Sequence, residues 1–166
     1  MLHQTISHYK ILEKIGQGGM SFLYKALDTR LERFVVLKFL HPEMTRSQQA
    51  KQRFIQEAKA ASALDHPNIC AVYDIGESRD GQLYIVMAYY EGETLKEKIA
   101  DVTLTSHQIK DYAVQIAKGL AVAHKHSIIH RDIKPANIFI TTDETIKILD
   151  FGLAKLARKN DLTRSR

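Results

Sequence analysis

Over residues 9–39, β-branched and aromatic residues fall in three short runs broken by glycine, Tyr9 to Ile15, Leu23 to Leu27 and Phe34 to Phe39. From Ser47 to Leu64 the apolar residues recur instead at three- and four-residue steps. One kind of element cannot serve both periods, so the first stretch is expected to form antiparallel strands and the second a helix. One face of that helix would hold Ala50, Phe54, Glu57, Ala58, Ala61 and Leu64, and His66-Pro67 would stop it. Two further strand-like runs, Ile69 to Ile75 and Leu83 to Tyr89, are linked through Asp80-Gly81, a dipeptide suited to the positive backbone angles of a hairpin turn. The expectation is an α+β chain that begins with a five-stranded antiparallel sheet and one helix.

After Gly92 the pattern turns helical. A short segment is expected near Leu95 to Ile99, then a longer helix opened by Thr105, whose hydroxyl and Gln108 form the pattern of a capping box. It would run to about His126, with Ile109, Tyr112, Ala113, Ile116, Leu120 and Ala123 as a core-facing stripe. The chain of 166 residues is 45% hydrophobic and 26% charged, a globular composition able to build a core. Its net charge of +5 is spread out except for Lys155, Arg158, Lys159, Arg164 and Arg166, which gives no nucleic-acid footprint. The lone Cys70 excludes an internal disulfide, suits a reducing cytoplasm and is expected to be a small buried hydrophobe. No apolar run is long enough to span a bilayer, so no membrane segment is expected in this stretch.

The chemistry is concentrated in His130-Arg131-Asp132-Ile133-Lys134-Pro135-Ala136-Asn137, which sets a carboxylate, an ammonium and a carboxamide within six residues. Asp150-Phe151-Gly152 begins thirteen residues after Asn137. Far upstream lies a glycine-rich turn, Gly16-Gln17-Gly18-Gly19-Met20-Ser21, where missing Cβ atoms would let backbone N–H groups approach a phosphate tail. The apolar run Val35-Val36-Leu37 ends in Lys38, whose ammonium needs an anionic partner; Glu57, on the apolar face of its helix, is the candidate because an unpaired carboxylate there would be costly. Asn137 and Asp150 offer hard oxygen donors of the kind magnesium takes. The eight histidines show no ligand spacing; His124 and His126, two apart, do not share a helix face.

In this order and spacing the motifs resemble the signature set of protein kinases. The wording of the glycine turn and of the His130–Asn137 stretch looks most like the bacterial, eukaryotic-like serine/threonine kinases, over nearly all of residues 9–157. The resemblance implies a kinase-like fold: a small lobe over about 9–90 and, over 91–166, the first helices and catalytic loop of a helical large lobe, reaching into the activation segment. It implies ATP and Mg2+, with Asp132 as base, Lys134 as charge neutraliser, Lys38 and Glu57 as a pair directing the phosphates, and Asn137 and Asp150 as metal ligands. The nucleotide would sit among Ile15, Gly16, Gly18, Ser21, Leu23, Val36, Lys38, Met87, Ala88, Tyr90 and Phe139, with Ala88-Tyr89-Tyr90 as the hinge. Ser21 stands at the family's third glycine, and Val36 at its usual alanine, which should narrow the adenine pocket.

Lysine at 134 resembles serine/threonine rather than tyrosine kinases, so the implied partner is a protein bearing a Ser or Thr hydroxyl. Arg131 would pair with a phosphorylated activation-loop residue, Thr163 or Ser165. The implied location is cytoplasmic, with room for a membrane anchor beyond Arg166. The other readings are a non-catalytic, pseudokinase-like fragment that binds nucleotide or a partner, and a small-molecule phosphotransferase, which would typically lack the Lys134-Pro135 pair.

Overall fold

The computed structural model describes residues 4–17, 21–41 and 48–151, apart from the side chains of Ala50, Arg53 and Glu57. Within these the chain forms two compact units, one from residues 4–58 and 72–89, the other from 59–71 and 90–151.

The first unit is a sheet of six strands: β1 (Thr5–Ile6), β2 (Tyr9–Gln17), β3 (Ser21–Asp28), β4 (Arg33–Leu40), β5 (Val72–Glu77) and β6 (Leu83–Ala88). Their spatial order is β1-β2-β3-β4-β6-β5, all neighbours antiparallel. Alternation along the strands splits the side chains between two faces. One face forms a core of Tyr9, Ile11, Tyr24, Ala26, Val35, Leu37, Phe39, Tyr84 and Val86. Its rings meet edge-on or tilted, Tyr24 to Phe39 at 5.7 Å and Phe39 to Tyr84 at 5.2 Å between centroids, arrangements that suit aromatic quadrupoles. The intervening residues, Leu23, Val36, Lys38, Ile85 and Met87, occupy the opposite face. The β3–β4 turn is closed by buried Asp28, whose Oδ1 accepts from the N–H groups of Arg30 at 3.0 Å and Leu31 at 3.1 Å.

Helix α1 (Gln48–Ser62) buries Phe54, Ala58 and Ala61 at three- and four-residue steps, as its sequence period requires. The second unit holds α2 (Leu95–Asp101), α3 (Ser106–Lys125) and a three-stranded antiparallel sheet, β7 (Gly92–Thr94), β8 (Ile138–Thr141) and β9 (Ile146–Ile148), in that order. Both helices open on full capping boxes. Thr94 and Glu97 form one, Thr105 and Gln108 the other, each hydroxyl accepting from the third backbone N–H at 3.2 Å. Gly92 sits at φ 146°, and a Cβ there would lie 2.0 Å from the Ile140 carbonyl oxygen, so β7 can close on β8 only through glycine.

Several elements differ from the sequence expectation. The sheet gains a sixth strand, because Thr5–Ile6 folds back on Tyr9–Lys10. The fifth run starts at Val72 rather than Ile69, since Ile69 belongs to the second unit, where it makes an isolated parallel bridge to Ile148 of β9. The three strands β7, β8 and β9 were not expected at all; strands of three or four residues fall below the length at which alternation is legible. The stripe on α3 is also corrected: Tyr112, Gly119 and Ala123 are buried, while Ile109 is 55% exposed and Ala113 is exposed. The face that packs is the one turned to β9, where Gly119 lets Ile148 and the Asn68 backbone approach.

Asn68 ties these pieces together. Its Nδ2 donates to Gln115 Oε1 at 2.9 Å and to the Ile146 carbonyl at 3.1 Å, and its own carbonyl accepts from Ile148 N–H at 2.9 Å. Gln115 Oε1 also accepts from Ile146 N–H at 2.8 Å. Replacing Asn68 by alanine strands buried acceptors, so urea unfolding should show a loss of about 1–3 kcal/mol at unchanged m-value; a loss within error would mean that water replaces the amide freely.

Candidate active site

Helix α3 ends by donating the N–H groups of His126, Ser127 and Ile128 back to Ala123 and His124 carbonyls, with Ser127 at φ 58°. That turn delivers His130, which is 1% exposed. Its Nε2 lies 2.6 Å from the Leu149 carbonyl, and its Nδ1 lies 3.3 Å from the Asp132 N–H. A backbone amide can only donate, so Nδ1 accepts, Nε2 carries the proton, and the ring is the neutral Nε2–H tautomer. The His130 ring also meets the Phe151 ring edge-on at 4.8 Å. One imidazole thus fixes the residue before Asp150, the residue after it, and Asp132.

Two side chains converge on Asp132. Lys134 Nζ donates to Asp132 Oδ2 at 2.7 Å, and Asn137 Nδ2 donates to the same oxygen at 3.1 Å and to the Asp132 carbonyl at 2.8 Å. Asn137 is buried in a short 3-10 turn, Pro135–Asn137, whose first position is filled by a proline that has no N–H to lose there. The Lys134 hydrogen bond, followed by its charge and by the Asn137 amide, outweighs burial and holds the Asp132 carboxyl below the usual aspartate range. The result is a half-exposed carboxylate, ionised at neutral pH, with a cation beside it.

Both hydrogen bonds of the Asn137 amide to Asp132 use its nitrogen, which leaves its oxygen unspent on that residue. Its backbone carbonyl accepts from Leu149 N–H at 2.9 Å, so Asp150 is carried one residue beyond a direct Asn137 contact. An amide oxygen and a carboxylate are hard donors and fit a magnesium-type cation that retains waters. Among the described residues no group of three or more His, Cys, Asp or Glu gathers as a cage for another metal. Two backbones flanking this chemistry are in the left-handed region, Arg131 at φ 69° and Asp150 at φ 60°. Arginine has no local side-chain compensation for that conformation, and such strain concentrates at functional sites.

In the first unit, register gathers another set of the expected residues. Gly16 pairs with Leu23, Leu23 with Lys38 and Lys38 with Ile85; one row along, Val36 pairs with Met87. Leu23, Val36, Lys38 and Met87 therefore share the sheet face opposite the aromatic core, with Lys38 only 7% exposed. Ile15 is skipped by the ladder between Lys14 and Gly16, a bulge that leaves it 43% exposed. Ser21 opens β3 opposite Leu40, and Ala88 closes β6 opposite Val35. In the second unit, half-buried Phe139 lies in β8 between Thr94 and Lys147, and Tyr90 receives Lys147 Nζ 4.7 Å above its ring. Gly18, Gly152, Thr163, Ser165 and the side chain of Glu57 lie outside the described residues, although the Glu57 backbone is part of α1.

Two contributors were not read from the sequence. His130 was recognised only as part of a motif, yet it is the pivot of the loop. Asn68 carried no signal beyond being a polar residue in an apolar run, Asn68-Ile69-Cys70, which is itself the mark of a satisfied buried amide.

The protein kinase domain model matches residues 9–166. The chain is 46% identical over 159 residues to a probable serine/threonine-protein kinase of Clostridium acetobutylicum, covering 95% of this chain and 24% of that protein. It is 44% identical over 156 residues to the serine/threonine-protein kinase PrkC of Bacillus subtilis, covering 93% of this chain and 24% of that one. The crystal structure of the Mycobacterium tuberculosis PknI kinase domain superimposes with a TM-score of 0.83 at 31% identity, over 93% of this chain and 62% of that one. The chain thus spans about a quarter of the length of these curated relatives.

The depressed Asp132 titration has a definite sign. An aspartate whose folded pKa lies below the unfolded value of about 3.9 stabilises the fold above that value and loses the contribution as pH falls through the folded pKa. In Lys134→Met the carboxyl resonance of Asp132 should titrate at higher pH in a carbon-detected NMR series, and the acid limb of stability should move up with it. An unmoved titration would remove Lys134 as the cause.

Proposed function

The chain belongs to the protein kinase family, and we propose that it carries the ATP-binding and catalytic-loop portion of a serine/threonine protein kinase. The observation that carries this reading is the Asp132–Lys134–Asn137 cluster, an ionised carboxylate gripped by an ammonium and a carboxamide on a loop pinned by a buried histidine. Residues 9–90 would form the small lobe with the nucleotide site, and 91–166 the start of the large lobe. The filled positions Lys38, Asp132, Asn137 and Asp150 favour a competent site over a degenerate nucleotide-binding module.

In this reading a protein Ser or Thr hydroxyl donates its proton to Asp132 Oδ as its oxygen forms a bond to the γ-phosphorus of ATP. The bond from that phosphorus to the β–γ bridging oxygen breaks, and ADP leaves with the electron pair. Lys134, within hydrogen-bonding distance of Asp132, would share its charge with the transferring phosphoryl. Asn137 Oδ1 and Asp150 would hold Mg2+, which would supply positive charge against the phosphates. Lys38, buried on the Val36 face, would direct the α/β-phosphates, oriented by Glu57. By the family's pattern, Leu23 and Val36 would cover one face of the adenine and Phe139 the other, Met87 would be the gatekeeper, and Ala88 and Tyr90 would offer backbone groups to its edge. Ile15, Gly16, Gly18 and Ser21 would enclose the phosphate tail. Arg131, held in a strained conformation, would read a phosphate on Thr163 or Ser165. Among the described residues no helix is long and apolar enough to cross a membrane.

Thermal unfolding of the chain with and without Mg-ATP tests the nucleotide half of the proposal: ligand at about 100 times its dissociation constant should add about 2.7 kcal/mol. Asp150→Asn should abolish most of that gain, and a wild-type chain that unfolds cooperatively with no gain would refute it. The catalytic half is read in the longer protein, where Asp132→Asn should abolish phosphate transfer while leaving ATP affinity within about threefold, and Lys38→Met should slow transfer by at least about a hundredfold. Unchanged rates in either variant would remove that residue from the mechanism.

A further inference from the structure

Lys25 stands in β3 on the same face as Leu23, directly opposite Val36 in the register. An ammonium on that apolar face needs a counterpart. It finds two aromatic rings, with Nζ 4.8 Å from the centroid of Phe34 and 4.3 Å from that of Tyr89. The rings themselves meet edge-on at 6.2 Å. Glu13 is also near, at 3.7 Å, but it is 59% exposed whereas Lys25 is 19% exposed. An ion pair so open to water contributes little, while a cation shielded by two rings gains more.

Tyr89 is the first residue beyond β6. The β4–β6 ladder ends at the pair Val35 and Ala88, so sheet hydrogen bonds do not hold Tyr89 in place. Its ring is held instead by Lys25 from β3 and Phe34 from β4. Holding that ring restricts the Tyr89 backbone, and with it the peptide planes that link Tyr89 to Ala88 and to Tyr90. We propose that Lys25 is a positioning residue for nucleotide binding: through its cation–π contact with Tyr89 it sets the hinge backbone that reads the adenine edge. The inference rests on the nucleotide-binding reading given above and adds to it a residue that touches neither phosphate nor metal.

The test separates the contact from the binding it serves. In the 166-residue chain without nucleotide, amide hydrogen exchange at Tyr89 and Tyr90 is followed by NMR for the wild type, Lys25→Met, Tyr89→Leu, their double variant, Lys25→Arg and Glu13→Gln. The dissociation constant of Mg-ADP is measured for each. Lys25→Met and Tyr89→Leu should each speed exchange and weaken Mg-ADP by about three- to tenfold. The double variant should show no further change, because one contact is removed twice. Lys25→Arg, which keeps the cation, should restore both readouts, and Glu13→Gln should leave both at wild-type values. Unchanged exchange in Lys25→Met, or additive effects in the double variant, would overturn the contact. Faster exchange with unaltered Mg-ADP affinity would overturn the positioning role. A wild-type chain that fails to bind Mg-ADP at all, with exchange still responding to Lys25→Met, would overturn the nucleotide reading and this role with it, while leaving the contact as a structural fact.

Discussion

The organisation of the second unit depends on the buried ring of His130. It is one side chain, almost wholly excluded from solvent, with both nitrogens spoken for by backbone: Nε2 by the Leu149 carbonyl and Nδ1 by the Asp132 N–H. Leu149 follows β9 and Asp132 lies in the loop before β8, seventeen residues apart in sequence by their numbering. Without the imidazole those two part-buried backbone groups would each lose a hydrogen-bond partner, at a cost of up to about 1 kcal/mol apiece. With it, Asp132 is aimed, Asn137 is drawn onto Leu149, and the positive-φ turn at Asp150 is held against relaxation.

Electrostatics follows from that geometry. Lys134 sits two residues from Asp132, and an extended backbone at Lys134, φ −158° and ψ 160°, lets its side chain reach back to Oδ2. The close ammonium keeps the carboxylate ionised despite partial burial, which is the state a proton acceptor requires. Asn137 adds a neutral donor to the same oxygen and retains an oxygen of its own. In the first unit another cation, Lys38, is buried on the face it shares with Leu23, Lys25, Val36, Ile85 and Met87.

The sheet shows how a single alternation produces two surfaces of different use. Val35, Leu37 and Phe39 face an aromatic core that gives the unit its stability, while Val36 and Lys38 face the other way. A one-residue slip of β4 would exchange those roles, and the paired register with β3 and β6 along five or more residues prevents it. The bulge at Ile15 interrupts β2 just before the glycine-rich turn, so the strand bends where the chain is proposed to approach phosphate.

Where local chemistry decides the outcome, it was legible in the residues. The capping box at Thr105 and Gln108, the turn at Gly81 with φ 81°, the helical period of α1 and the cluster formed by residues only two to five apart around Asp132 all follow from sequence neighbours. The order of the motifs also pointed to the protein kinase family, to which the chain belongs. What only the tertiary structure decided depends on contacts distant in sequence. Three-residue strands β7 and β9 exist because β8 supplies their hydrogen bonds, and α3 buries its Tyr112–Gly119–Ala123 line because β9 and Asn68 lie there. The His130 tautomer and the ring pair around Lys25 belong to the same class. A sequence specifies which groups must find partners, since an unpaired polar or charged group is costly wherever it is buried; which partner each finds is fixed only when the fold brings remote backbone and side chains within hydrogen-bonding reach.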